Sequence, residues 1–152
     1  MYKSTVRWMI RRSIAHLNEG DPSIALAMFA DDATLAFPGD NTWSRMFREP
    51  QLGCDPHPTH RGKAEIEAFL DRYVAHGIQM EIDDILVNGP PWRARAAAVV
   101  HDWVPGPDGG NVYANRAVLF VRTRWGRIVS QEDFEDSERV ASYDRHLAGV
   151  AG

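Results

Sequence analysis

Arg93-Ala94-Arg95-Ala96-Ala97-Ala98-Val99-Val100-His101-Asp102-Trp103-Val104 reads with a period of two. Arg93, Arg95, His101 and Trp103 share one phase, and Ala94, Ala96, Ala98, Val100 and Asp102 share the other. Successive side chains of a strand point to opposite faces, so this is a sheet strand with a small, apolar, inward phase. That phase ends in a carboxylate, and burial without a partner raises a carboxylate's pKa toward values useful in acid–base work. The period of two continues on either side. Strands are predicted over about 78–87, 93–104, 111–123 and 127–135, separated by Asn88-Gly89-Pro90-Pro91, Pro105 to Gly110 and Arg124-Trp125-Gly126.

Upstream the spacing is helical. Val6, Met9, Ile10, Ile14 and Leu17 follow an i, i+3, i+4 pattern that Asn18-Glu19-Gly20 stops. Asp21-Pro22 is an N-cap with proline in the first turn, opening a short helix to about Phe29, and Ala33 to Phe37 reads as a strand closed by Pro38-Gly39. Gly62 to His76 is helical again, with Ile66, Phe69, Leu70 and Val74 on one face and Gly77 ending it. Asp136 to Leu147 gives a short C-terminal helix capped by Asp136-Ser137. The order helix, helix, strand, helix, then four strands predicts an α+β fold in which a curved antiparallel sheet packs on three N-terminal helices. A pocket is expected between sheet and helices. Residues 40–61, with Pro50, Pro56 and Pro58, form a long irregular segment of the kind that covers sites.

A length of 152 residues, 44% hydrophobic and 25% charged, describes one globular domain spanning 1–152. The longest apolar run, Ile24 to Ala30, is seven residues, against roughly 20 for a membrane-spanning helix. The first residues lack the apolar core of a secretory leader, and Cys54 stands alone, so no internal disulfide forms and a cytoplasmic location is expected. Net charge is −4 and the 15 Arg among the 17 basic residues are scattered, so neither nucleic acid nor a membrane is expected as a partner.

Candidate chemistry gathers on the strands. On the third long strand Tyr113, Asn115, Ala117, Leu119 and Val121 share one phase and Arg116, Val118, Phe120 and Arg122 the other. If the first faces inward it offers a hydroxyl and an amide to a ligand, a cross-strand structural role being the alternative for Asn115. The last strand ends Gln131-Glu132-Asp133-Phe134-Glu135-Asp136. Such a run of acids is ordinarily a solvated edge or complements a helix dipole, yet Asp133 is in phase with Val129 and Gln131 and can reach the pocket. Cys54-Asp55-Pro56-His57-Pro58-Thr59-His60 packs four potential ligands into seven residues, but its spacing matches no zinc pattern, so it reads as a lid or helix-entry loop with His60 as a further candidate. No metal and no organic cofactor is expected. There is no nucleophile elbow, phosphate-binding loop or paired His-Glu metal helix.

His16-Leu17-Asn18-Glu19-Gly20-Asp21, Phe29-Ala30-Asp31-Asp32-Ala33-Thr34, Arg61-Gly62-Lys63-Ala64-Glu65-Ile66 and Gly126-Arg127-Ile128-Val129 followed by Glu132-Asp133-Phe134 resemble the SnoaL-like polyketide cyclases of the nuclear transport factor 2-like superfamily, over residues 5–147. The resemblance implies a cone of curved sheet and three helices. It also implies a general base at Asp133, with a second acid at Asp102, as in limonene epoxide hydrolase-like members. Those hydrolases place an Arg where this chain has Val100, and a water-holding Tyr and Asn where it has Leu35 and Phe37, which argues against epoxide hydrolysis. Ketosteroid isomerase is disfavoured likewise, its base falling on Phe37, its oxyanion acid near Val118 and its phenol on Ser13. The resulting expectation is a cofactor-independent cyclase, isomerase or dehydratase acting on a small apolar, polyketide-like or steroid-like molecule. Asp133, Asp102 and His101 would be catalytic, and Tyr113, Asn115, Phe37, Trp43 and His60 would contact substrate. The alternative is a non-catalytic ligand-binding or partner-subunit module. The superfamily also implies a homodimer through the outer sheet face, with Trp103, Val118, Phe120 and Arg122 as candidates.

Overall fold

The computed structural model describes residues 1–38 and 59–150. Its elements are α1 (Tyr2–Asn18), α2 (Ser23–Met28), β1 (Phe29–Ala36), β2 (Thr59–Arg61), α3 (Gly62–Ala75), β3 (Gln79–Asn88), β4 (Arg95–Pro105), β5 (Asn111–Arg124), β6 (Arg127–Glu135) and α4 (Ser137–Val150). Six strands form one curved, open sheet in the order β2-β1-β6-β5-β4-β3. The α+β class holds. β3 to β6 form an antiparallel meander, but β1 runs parallel to β6. The sheet is therefore mixed, because the chain crosses from β1 through α3 before it builds the meander. Thr59–Arg61, placed by the sequence in an irregular segment, pairs with Thr34–Ala36 instead. Trp43 lies outside the described residues.

The helices sit where the apolar phases send them. Ile10 and Ile14 of α1 and Ile66, Phe69, Leu70 and Tyr73 of α3 are buried against the inner face of the sheet. In α3 the buried residue is Tyr73, with the neighbouring Val74 only half-buried. Asn18 fastens α1 to the edge strand by donating to the Met80 carbonyl at 2.8 Å and accepting from the Met80 N–H at 2.9 Å. Asp21 accepts from the Ser23 N–H and starts α2 one residue beyond the expected proline. α4 begins where its cap predicts, with Asp136 Oδ1 accepting from the Glu138 N–H at 3.1 Å. Gly89 makes the β3–β4 connection possible: its φ is 89°, and an added Cβ would come within 2.6 Å of the Arg93 carbonyl oxygen. Among the described residues no helix is long and apolar enough to cross a membrane.

Candidate active site

The alternation of β4 runs as its sequence reads: Ala96, Ala98, Val100 and Asp102 are buried, while Arg95 is exposed and Ala97, Val99, His101 and Trp103 are half-buried on the outer face. On β5 the buried phase is Tyr113, Asn115, Ala117, Leu119 and Val121. Register then settles β6. Leu119 lies opposite Asp133, Ala117 opposite Glu135 and Val121 opposite Gln131, so Gln131, Asp133 and Glu135 share the inner face. A register shift between Arg122 and Thr123 puts Ile128, not Val129, on that face. This bulge corrects the phase read from the sequence, because an extra residue on one strand flips the alternation beyond it.

Sheet and helices enclose a cavity. Its walls include Ile10 and Ile14 of α1, Phe29 and Leu35 of β1, and Phe37 and Phe69. Asp102, Asp133, Glu135, Gln131, Ser13 and Tyr73 are the polar residues of its lining, and no Lys, Arg or His lines it among the described residues. An apolar cavity with a few convergent polar groups is the usual form of a small-molecule site.

Each carboxyl group is held away from its ordinary titration. Asp102 is 7% exposed and its Oδ1 is buried with no hydrogen-bond partner among the described residues. Burial raises its pKa to about 6, against a backbone hydrogen bond and the His101 charge, which lower it. Asp133 is raised to about 7, chiefly by burial and further by the Asp102 charge, although Gln131 Nε2 donates to its Oδ1 at 2.9 Å. Glu135 is raised to about 9 by burial first, then by the charges of Asp133 and Asp102. Its Oε1 too is buried without a hydrogen-bond partner among the described residues. The Tyr73 phenol, buried beside all three carboxyl groups, is pushed well above its usual value. Three carboxyl groups crowded out of water cannot all ionise near neutrality, so the set holds both a proton acceptor and a proton donor.

Of the residues singled out in the sequence, Asp102, Asp133 and Phe37 come together on the cavity. His101 does not. It lies on the outer face of β4, stacked on Trp103, 3.1 Å from Asp83 and 3.4 Å from Glu81. Adjacent residues of a strand cannot share a face, so His101 cannot return a proton to a group that Asp102 meets. Tyr113 and Asn115 do point inward but support α4 instead of lining the cavity: Asn115 Nδ2 donates to the Tyr113 hydroxyl at 3.0 Å and to the Asp136 carbonyl at 3.1 Å, and the Tyr113 ring packs on Tyr143. His60 is a core histidine, 1% exposed and packed against Phe37 and Phe69. Sequence reasoning missed Glu135 and Tyr73. Period two could have found Glu135, which follows Asp133 by two residues. For Tyr73 helical spacing allowed either it or Val74 on the buried face.

A family model for the SnoaL-like domain matches residues 10–131. None of the curated proteins matches significantly. Among solved structures, a nuclear transport factor 2-like protein of unknown function from Burkholderia pseudomallei superposes with a TM-score of 0.65 at 20% identity, over 91% of this chain and 96% of that one. SalBIII, an epoxide hydrolase/cyclase-like enzyme with a role in pyran ring formation in the polyether salinomycin, superposes with a TM-score of 0.61 at 17% identity, over 90% and 95%. A candidate ketosteroid isomerase from Kribbella flavida gives 0.60 at 18% identity, over 88% and 78%. At such identities the likeness is one of fold. With the family model spanning most of its length, the chain belongs to the SnoaL-like domain family.

Proposed function

We propose that the protein is a cofactor-independent acid–base enzyme of cyclase, isomerase or dehydratase type, acting on a small apolar molecule. The observation that carries this reading is the convergence of Asp102, Asp133 and Glu135 on one apolar cavity, with pKa values raised to about 6, 7 and 9. The family and its cyclase-like neighbour support the class of reaction. Asp133, oriented by Gln131, takes a proton from an activated carbon or a water, and a carboxylate titrating near neutrality is an effective base there. Glu135, protonated at neutral pH, returns a proton to the substrate. The neutral phenol of Tyr73, which lines the cavity, steadies a developing oxyanion in this reading. Asp102 keeps a negative charge beside Asp133 and holds its basicity up. The apolar walls select flat hydrocarbon-rich molecules, such as polyketide-like or steroid-like rings, by burial of apolar area.

The test begins with a thermal-shift screen against flat and bicyclic apolar ligands, followed by turnover assays on those that stabilise the protein. Asp133→Asn should remove turnover by 100-fold or more, on the order of what general-base catalysis contributes, while the Tm stays level or rises. Turnover unchanged by Asp133→Asn sinks the assignment. Ligand binding without turnover in the wild type would leave the binding-module alternative in its place.

A further inference from the structure

Two connections far apart in sequence stand side by side at one end of the sheet. Trp125 N donates to the Trp92 carbonyl at 3.3 Å and Thr123 N to the Ala94 carbonyl at 2.9 Å, which laces the β3–β4 connection to the β5–β6 turn. The two indoles lie 6.4 Å apart, and both are exposed, Trp92 by 54% and Trp125 by 76%. Trp125 holds its place against two preferences. Its φ is 51°, in the left-handed region, with Gly126 following at 78°. Asn, Asp or Gly take the first position of such a turn at least cost, and a bulky residue there is an outlier. A solvent-facing indole also leaves a large apolar area in water. Contact with Trp92 offsets part of this, yet three-quarters of Trp125 stays open.

Charge at this end is mostly basic. Arg95 lies directly opposite Arg122 on the β4–β5 ladder, and Arg124 faces Arg127 across the β5–β6 turn. Like charges directly opposite one another destabilise a sheet. Arg122 has Glu132 at 3.8 Å, but neither residues 85–100 nor residues 117–131 contain an Asp or Glu. α1 extends the patch. It runs antiparallel to β3, with Asn18 bonded to Met80 and Arg7 to Ile85, so its N-terminal turns point to the same end. It exposes Trp8 beneath the Arg12 guanidinium, 5.2 Å from the ring, and has no acid before Glu19. Residues 1–18, 85–100 and 117–131 together hold nine of the 17 basic residues and none of the 21 acids, in a chain of net charge −4. Glu132 follows the last stretch, and Asp31 and Asp32 lie near the start of β1, which pairs with β6 from Phe29 opposite Ile128.

We propose that this end of the molecule docks on an anionic phospholipid surface, with Trp92 and Trp125 entering the headgroup layer and the arginines around them meeting lipid phosphates. Protruding indoles ringed by basic side chains match the amphipathic boundary of a bilayer, and each basic residue near an anionic leaflet adds to the attraction. A nucleic acid fits less well. Single strands run in grooves and lay bases on spaced aromatic platforms, whereas here two indoles tilted by 41° share adjoining turn tips. The proposal is independent of the chemistry in the cavity.

The experiment is flotation of the full chain with phosphatidylcholine vesicles containing about one-third phosphatidylglycerol, beside vesicles of phosphatidylcholine alone and a polyuridylate control. The expected result is association with the anionic vesicles that added salt weakens, with a blue shift of tryptophan emission. Arg95→Gln with Arg122→Gln should weaken association by roughly tenfold or more. Trp125→Asn, which puts a favoured residue in the turn, should diminish both the emission shift and the binding in a folded protein. Absence of association, or association that both variants leave unchanged, overturns the proposal. Equal binding to polyuridylate with no emission shift on vesicles also overturns it, assigning the patch to polyanions instead.

Discussion

Asp133 and Glu135 stand two residues apart on β6, in a run where Glu132 and Phe134 face the other way. Four acids in five residues read as a solvated edge when taken together, and only the alternation separates the inner pair from the outer ones. Asp102 was legible for the opposite reason, as a carboxylate ending an otherwise apolar phase. Their chemistry has a consequence for stability. Burial favours the protonated form, so Asp102, Asp133 and Glu135 bind protons more tightly in the folded chain than in the unfolded one. Stability from these groups is full below about pH 4, and is lost as pH climbs from there toward the raised values of about 6, 7 and 9. Thermal unfolding across this range should show Tm falling with pH. Glu135→Gln should flatten the upper part of that fall and raise Tm at pH 8, because the amide never has to ionise. A Tm that rises with pH through neutrality would contradict the burial of the three groups. His101→Ala, by contrast, should leave turnover within about twofold of wild type, since surface substitutions away from a site are close to neutral.

At the scale of elements, periodicity carried the order of helices and strands, and two devices lay beyond its reach. The bulge in β6 is a register event, set by pairing with β5, and no local pattern announces it. The parallel pairing of β1 with β6 depends on contacts nearly 100 residues apart, such as Phe29 with Ile128. The role of Asn115, open in the sequence between ligand contact and a structural one, is decided by a related device. Two competing phases of β5 left its facing open, and its partner, the Asp136 carbonyl, becomes a neighbour only when α4 folds back on β5. That bond ties the start of α4 to the sheet beside Val140 and Tyr143, both buried. Asn115→Ala should therefore destabilise the protein by about 1–2 kcal/mol, as loss of a buried hydrogen bond does. Urea unfolding reads the total, and hydrogen exchange should show lost protection concentrated in α4. An effect spread evenly over the helices would argue against this anchoring role.

For the whole molecule, net charge was a poor guide to surface character. The average of −4 hides a fold in which one end of the sheet and the start of α1 gather basic residues that are scattered in sequence. Only three-dimensional pairing reveals Arg95 beside Arg122 and Trp92 beside Trp125. The same folding brings Tyr73 from α3 to the three carboxyl groups of β4 and β6. The Trp125 turn offers a check on this economy: relief of a left-handed bulky residue is worth about 1 kcal/mol, so Trp125→Asn should leave Tm level or raise it, and a fall of several degrees would show that the indole pair holds the hairpins together. The proposed chemistry depends most heavily on the crowding of carboxyl groups in the cavity. Its most direct test is a carbon-13 NMR titration of the Asp and Glu side-chain carboxyl carbons. Three resonances should titrate near 6, 7 and 9, with the upper two moving down in Asp102→Asn as a negative neighbour is lost. If every carboxyl carbon titrates below about pH 5, in the range of ordinary exposed acids, the cavity holds no tuned acid–base set and the proposed chemistry falls with it.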